Sequence, residues 1–353
     1  MGYHMRKWCE YFSTQGHEVH VLSFWPGENQ FAQCHLLPHL VNPDGKQWTK
    51  VRYLSQGRAI RNIVSKLKPD IIHVHYASSY GVTCAFAGIE DYFLSIWGSD
   101  IYDFPTTSFL HKYLISRALR QPKYLLSTSR AMASEAHKYT SRKFEITPFG
   151  VDIDLFTPEK RTRRNDGVFI VGTVKTLSPK YGIDNILKAC RLVLDRRPNL
   201  PIQIQIAGSG PQESELRTLA HDLDLDGRVK WLGFISQMEA AIAWANMDVA
   251  IIPSVLESES FGVAAVEAQA CAIPVIVSDI PGLMESTFPQ VSSMVFARGN
   301  VDQLSCAIEF LYDNPAKRKQ MGIQGRIYVK QNFEYNHCFQ HISDLYESSL
   351  TLK

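Results

Sequence analysis

The stretch Leu256-Glu-Ser-Glu-Ser-Phe-Gly-Val-Ala-Ala-Val-Glu-Ala-Gln-Ala-Cys-Ala-Ile-Pro-Val-Ile-Val-Ser-Asp279 sets the frame for the whole chain. Glu267 interrupts an apolar run that reads as a helix packed on a sheet, and a carboxylate drawn into such a helix costs several kcal/mol unless something pairs with it. Hydroxyls of a bound ligand are one such partner. Glu259 stands eight residues earlier, before Phe261-Gly262. A helix beginning near Ser260, after this Ser/Gly turn, would aim its free N–H groups and positive dipole end at an anion such as a diphosphate. Carboxylates for sugar hydroxyls and a helix end for phosphate point to a sugar nucleotide.

On either side of this stretch, strand and helix signals alternate in two series, the pattern of parallel sheets covered by helices in an α/β protein. The first series runs through Glu18-Val-His-Val-Leu-Ser23, Asp70-Ile-Ile-His-Val-His75, Phe93-Leu-Ser-Ile-Trp97 and Tyr124-Leu-Leu-Ser-Thr-Ser129 to Phe144-Glu-Ile-Thr147. A charged segment, Thr157-Pro-Glu-Lys-Arg-Thr-Arg-Arg-Asn-Asp-Gly167, then breaks the pattern. The second series begins at Val168-Phe-Ile-Val-Gly172 and continues through Ile202-Gln-Ile-Gln-Ile206, Val229-Lys-Trp-Leu232, Val249-Ala-Ile-Ile252 and Pro274-Val-Ile-Val277, and helices follow to the end of the chain. The expected organisation is two doubly wound domains facing one cleft, 1–156 and 168–334, with 157–167 as linker and a last helix over 335–353. Ligands should sit at the carboxyl ends of the strands.

A chain of 353 residues is too long for one core and suits two domains. Hydrophobic content of 45% and charged content of 20% describe a soluble globular composition. No apolar run approaches a membrane span, and the first residues lack the apolar centre of a signal peptide, so a cytoplasmic location is expected. The seven cysteines (9, 34, 84, 190, 271, 306 and 338) are scattered and never form a Cys-x2-Cys pair, so neither a disulfide framework nor a zinc site is indicated. Residues 1–164 hold 21 Lys/Arg against 14 Asp/Glu, and residues 165–353 hold 16 against 21. The basic half suits peripheral contact with an anionic membrane, at its inner face, or an anionic acceptor. An ordinary solubilising surface is the other reading.

Glu259-Ser-Phe-Gly-Val-Ala-Ala-Val-Glu267, followed by Pro274-Val-Ile-Val-Ser-Asp279 and Glu285, resembles the GT4-type retaining glycosyltransferases of the GT-B fold. Ile251-Ile-Pro-Ser254, Ile206-Ala-Gly-Ser-Gly-Pro211, Val229-Lys-Trp-Leu-Gly-Phe234 and Thr147-Pro-Phe-Gly-Val-Asp-Ile-Asp-Leu-Phe156 fall in that family's order and spacing. The family's opening strand and glycine-rich turn have no counterpart before Gly2-Tyr-His-Met-Arg-Lys-Trp8, so the first strand of the N-terminal domain is expected to be absent. The resemblance implies a retaining transfer of a sugar from a UDP- or GDP-sugar to a glycan or lipid-linked acceptor hydroxyl, as in polysaccharide, lipopolysaccharide or glycolipid synthesis. It implies no metal, no cofactor beyond the donor substrate, and no nucleic-acid partner. A catalytically silent nucleotide-binding partner, or a GT-B epimerase or phosphorylase, would use the same framework.

By the same resemblance, Val171-Gly-Thr-Val-Lys-Thr-Leu-Ser-Pro-Lys-Tyr-Gly182 supplies the cations for the donor diphosphate. Thr176 stands where many members have Arg, which makes Lys175 and Lys180 the candidates. Gly208 and Gly210 should let backbone approach the nucleotide, Glu267 should bind the ribose, and Glu259 the transferred sugar, with the N–H groups of Phe261 and Gly262 nearby. His75 and Asp100 are the acceptor-side candidates, since both follow strands of the first domain. Trp97 occupies the position of the family's acceptor-side histidine. Glu259, Lys180 and Asp100 are the residues expected to act in the transfer itself.

Overall fold

A computed structural model describes residues 3–24, 27–37, 56–162 and 167–351. It divides into two compact units, Met1–Phe149 with Phe339–Lys353, and Gly150–Cys338.

The second unit is built on six parallel strands: β7 (Phe169–Val174), β8 (Ile202–Ala207), β9 (Val229–Gly233), β10 (Val249–Ile252), β11 (Val275–Ser278) and β12 (Ser293–Phe296). Their order in the sheet is β12-β11-β10-β7-β8-β9. Strands β10 and β11 are buried at every position, as their uninterrupted Val/Ile/Ala sequences require of a parallel sheet covered on both faces. Helix Ile183–Arg196 packs on one face through Ile183, Ile186, Leu187, Cys190, Val193 and Leu194, which recur at three- and four-residue spacing. Helix Gln237–Asn246 opens with a capping box, in which the Ser236 side chain accepts from the Glu239 N–H while the Glu239 carboxylate accepts from the Ser236 N–H. Of the charged segment expected to be a linker, residues 157–162 lie against this unit. Arg161 reaches Asp248 at 3.3 Å, and the Thr162 N–H donates to Asn246 at 3.0 Å. Residues 163–166 lie outside the described residues.

The first unit holds β3 (Ile72–His75), β4 (Tyr92–Ile96), β5 (Tyr124–Ser127) and β6 (Glu145–Ile146) in one parallel sheet, with β1 (His20–Ser23) and β2 (Gln33–Leu36) in a second. No strand among the described residues joins the two sheets. A cavity of about 650 Å³ lies there, lined by Val21 and Leu22 of β1, Ile72 and Val74 of β3, and Ile60 and Val64 of the helix Gly57–Leu67. Helix Tyr335–Thr351 adds Phe339 and Tyr346 to this unit's core, with Phe339 edge-on to Trp8 at 5.2 Å and Tyr346 5.2 Å from Phe12.

Three details depart from the sequence expectation. Strands β2 and β12 are additional. Each is four residues long and sits at the edge of its sheet, and the β2 sequence, Gln-Cys-His-Leu, carries no strand periodicity. The helix expected near Ser260 begins at Val263 instead. Gly262 adopts φ +74°, a left-handed conformation that halts the helical run and that glycine tolerates best.

Helix Pro315–Asn332 crosses the Ala272 turn so closely that a Cβ on Gly322 would stand 2.0 Å from the Ala272 carbonyl oxygen, whereas one on Gly227 meets nothing within 4 Å. Gly322→Ala should therefore lower stability by about 1–3 kcal/mol or more, the range for overpacking, and Gly227→Ala should stay near wild type. Urea midpoints compared at constant m check this, and equal midpoints for the two variants would rule out the close approach.

Candidate functional site

The strand order of the second unit reverses between β7 and β10, which are neighbours in the sheet although their successors run in opposite directions from them. The carboxyl ends of such a pair form the crevice where open α/β sheets bind ligands. Lys175 follows β7 directly, and the 253–259 segment follows β10. Across this point Lys175 Nζ donates to Glu259 Oε1 at 2.9 Å, with both side chains largely out of water. The Lys175 ammonium also lies 4.5 Å from the Tyr181 ring centre. Burial alone would pull its pKa down, but Glu259 and the Tyr181 hydroxyl outweigh that and hold it above its ordinary value, so Lys175 is a permanent cation.

Lys180 reaches the same segment by another route, donating from Nζ to the Ser258 carbonyl at 2.8 Å, while its own carbonyl accepts from the Val255 N–H at 2.9 Å. Gly208 and Gly210 hold the β7 loop from the other side. Cβ atoms there would stand 1.9 Å from the Lys175 carbonyl oxygen and 2.3 Å from that of Leu177, and Gly208 has φ +132°. The close approach they permit is to the protein's own 175–177 backbone, fastened by the Leu177 N–H to the Ser209 carbonyl at 3.0 Å.

Glu267 lies in helix Val263–Ala270, which is buried at every position after its first. Its Oε2 accepts from Trp244 Nε1 at 3.3 Å. Burial pushes the Glu267 carboxyl up to about 7, against the smaller opposing effects of the indole and of Lys175. Phe261 is turned inward, edge-on to Phe333 at 5.2 Å. A Cβ on Gly262 would meet Leu283 at 2.4 Å. Lys175, Lys180, Gly208, Gly210, Glu259, Phe261, Gly262 and Glu267 thus all belong to this one unit, on loops and a helix that follow β7, β8 and β10.

The sequence reading missed Trp244 and Tyr181, and it missed the buried hydroxyls of Thr173 and Ser258. With that of Ser254, these hydroxyls make no hydrogen bond among the described residues. Buried hydroxyls are normally bonded, and such unpaired groups also occur in the first unit, at Tyr92 and Thr128. Tyr181 had a signal in its position beside Lys180. Trp244 had none, because a tryptophan in an apolar helix reads as core.

His75 and Asp100 belong to the first unit. His75 ends β3, stacks on His73 at 4.1 Å and lies edge-on to Trp8 at 4.7 Å. Burial holds its pKa down at about 3, so the ring is neutral at physiological pH, and its Nδ1 is buried without a hydrogen bond among the described residues. His73 is held by the Tyr346 hydroxyl and by Ser95 Oγ, the latter at 2.7 Å. Asp100 is fully buried, and its oxygens accept from the N–H groups of Ala77 at 2.8 Å, Gly98 at 2.8 Å and Trp97 at 3.1 Å. Burial raises its pKa while these N–H groups oppose the rise. Asp100 therefore fastens the turns after β3 and β4.

Residues 157–328 match the family described as glycosyl transferases group 1, and residues 2–129 match the one described as glycosyl transferase 4-like. The D-inositol 3-phosphate glycosyltransferase of Pseudarthrobacter chlorophenolicus is 31% identical over 283 residues, covering 72% of this chain and 64% of the relative. The GDP-mannose-dependent monoacylated alpha-(1-6)-phosphatidylinositol monomannoside mannosyltransferase of Corynebacterium glutamicum is 32% identical over 219 residues, 58% of this chain and 56% of the relative. The chain thus spans less than two thirds of the length of these curated relatives. Among solved structures, Anabaena HepE in complex with UDP superimposes with a TM-score of 0.78 at 17% identity, covering 97% of this chain and 96% of that one, a likeness of fold.

The Glu267 carboxyl gives a stability signature. Unfolded, it ionises near its ordinary 4.5, and folded near 7, so in that window the native state carries the extra proton and stability falls as pH rises. The shift from 4.5 to about 7 corresponds to roughly 3 kcal/mol. Glu267→Gln cannot ionise and should lack this decline. Urea denaturation of both proteins from pH 4.5 to above 7 measures it, and parallel profiles would show that the carboxyl is not held protonated.

Proposed function

The chain belongs to the glycosyl transferases group 1 family and has the GT-B fold, and on that premise we propose that it transfers a sugar from a UDP- or GDP-sugar to an acceptor hydroxyl in glycan or glycolipid synthesis. The observation that carries this reading is the Lys175–Glu259 pair at the reversal of strand order, with Glu267 close enough for its charge to be felt at Lys175.

The donor diphosphate is assigned to Lys175 and Lys180. A leaving nucleoside diphosphate gains negative charge as the bond between the sugar and phosphate breaks, and preorganised cations lower that barrier without metal or cofactor. Lys175 has three N–H donors and gives one to Glu259, which leaves two for phosphate oxygens. Glu259, anchored by that bond, presents its other oxygen to hydroxyls of the transferred sugar. Glu267 is assigned to the ribose hydroxyls, which would replace water as partners of a carboxyl that burial holds near neutrality. Transfer proceeds with retention. The acceptor oxygen bonds to the anomeric carbon on the face the diphosphate leaves, and its proton passes to a leaving phosphate oxygen. Neither glutamate acts as a nucleophile. The acceptor side is assigned to the first unit, with His75 near the acceptor and Asp100 as a positioning residue acting through the turns it holds. The relatives named above act on an inositol phosphate and a phosphatidylinositol mannoside. Together with the basic first half, this supports a polar or lipid-linked acceptor met at an anionic membrane surface.

Thermal melting with UDP-, GDP- and ADP-sugars, without added metal, tests the donor assignment. A ligand that binds only the folded state at 100 times its Kd adds about 2.7 kcal/mol of stability. One nucleotide class should raise Tm, and Glu267→Gln should weaken that rise. Glu267→Gln is preferable to Lys175→Met, which would leave Glu259 buried without its cation and cost about 3–5 kcal/mol by itself. A cooperative melt that no sugar nucleotide shifts would sink the donor reading.

A further inference from the structure

The helix Phe109–Arg120 of the first unit buries one side and leaves the other uncovered. Ile115, Ala118 and Leu119 are buried, and the Ser108 hydroxyl caps the helix start by accepting from the His111 N–H. On the opposite side Phe109 is 92% exposed, and Leu110 and Tyr113 are each 57% exposed. Phe109, Lys112, Tyr113, Ser116 and Arg120 follow the spacing of a single helical stripe. Beside it the Arg117 guanidinium lies 5.3 Å over the ring of Phe86, itself 42% exposed. Large apolar side chains this exposed and this close together mark an interaction surface.

Charge identifies the partner. Between Asp103 and Glu135 the chain contains no Asp or Glu but carries Lys112, Arg117, Arg120, Lys123 and Arg130. Aromatic and aliphatic tips beside flexible cations that reach outward are what a helix lying in a bilayer interface presents, the tips to the acyl boundary and the cations to lipid phosphates. A purely apolar partner would not account for an acid-free basic run, and an anionic lipid surface does. Among the described residues no helix is long and apolar enough to cross a membrane.

We infer that the exposed stripe of helix Phe109–Arg120 docks the protein on an anionic membrane surface, with Phe109, Leu110 and Tyr113 entering the acyl boundary and Lys112, Arg117 and Arg120 meeting lipid phosphates. This rests on the reading above that the chain meets an anionic membrane, and it is independent of the donor assignment.

Flotation of the full chain with phosphatidylglycerol-containing vesicles and with pure phosphatidylcholine vesicles, at low and raised salt, tests it. Two variants accompany the wild type, Phe109→Ser/Leu110→Ser/Tyr113→Ser and Lys112→Glu/Arg120→Glu, with melting curves to show that they fold. All five positions are exposed. The wild type should float with the anionic vesicles only, salt should weaken the binding, and each variant should lose about tenfold or more of it. If the wild type binds and both variants bind equally well, the membrane reading stands and this surface is the wrong one. A wild type that floats with neither vesicle overturns both. Concentration-dependent dimerisation without flotation, abolished by the apolar variant, would assign the stripe to a second copy of the chain.

Discussion

A single buried ion pair fastens the loops after β7 and β10 of the second unit to each other. Lys175 and Glu259 are 84 residues apart in sequence and 2.9 Å apart in space, a meeting that depends on β7 lying next to β10. Removing both charges from water is expensive, and a buried pair of this kind is no better for stability than apolar side chains of similar size. The surrounding chain nevertheless holds it in place. Gly208 and Gly210 leave room for the Lys175 and Leu177 carbonyls, Lys180 ties down the Ser258 carbonyl, and Tyr181 covers the ammonium. A pair kept by so many separate constraints, at the place where the strand order turns, fits a site that must present fixed charge to an anionic ligand.

The two glutamates of the motif differ by environment, not by chemistry. Glu259 faces an ammonium, while Glu267 has an indole N–H as its bonded neighbour and burial that favours the neutral acid. On the proposed reading, Glu259 is fixed beside the charge that a leaving diphosphate needs. On the same reading, Glu267 exchanges hydrogen bonds with arriving ribose hydroxyls, at little electrostatic cost while it is the neutral acid.

The first unit has a different character. Its polar interior holds backbone and elements together: Asp100 binds three backbone N–H groups after β3 and β4, and His73 of β3 bridges Ser95 of β4 and Tyr346 of the last helix. His75 is kept neutral, able to orient a hydroxyl but not to carry charge in the physiological range. Its surface, by contrast, is basic and in one place openly apolar.

Much was legible in the sequence because a parallel sheet buried on both faces requires nearly uninterrupted apolar strands, as at Val249-Ala-Ile-Ile252 and Val275-Ile-Val277. The motif around Glu259 and Glu267 was legible because a carboxylate within an apolar run demands a partner. The edge strand β2 was not, since three of its four residues are exposed and carry no pattern, and β12, although buried or half-buried throughout, is only four residues long. The start of the Val263–Ala270 helix was misjudged because a left-handed Gly262 is a property of backbone angle that composition does not display. The residue types alone determined the alternating architecture, the positions of the carboxylates and the basic first half. Only the tertiary structure decided that Lys175 neutralises Glu259, that Trp244 meets Glu267, that Gly208 and Gly210 serve the protein's own backbone, and that Asp100 faces inward. Each of these depends on which loops are brought together by strands distant in sequence, and contacts of that range leave no mark in local pattern.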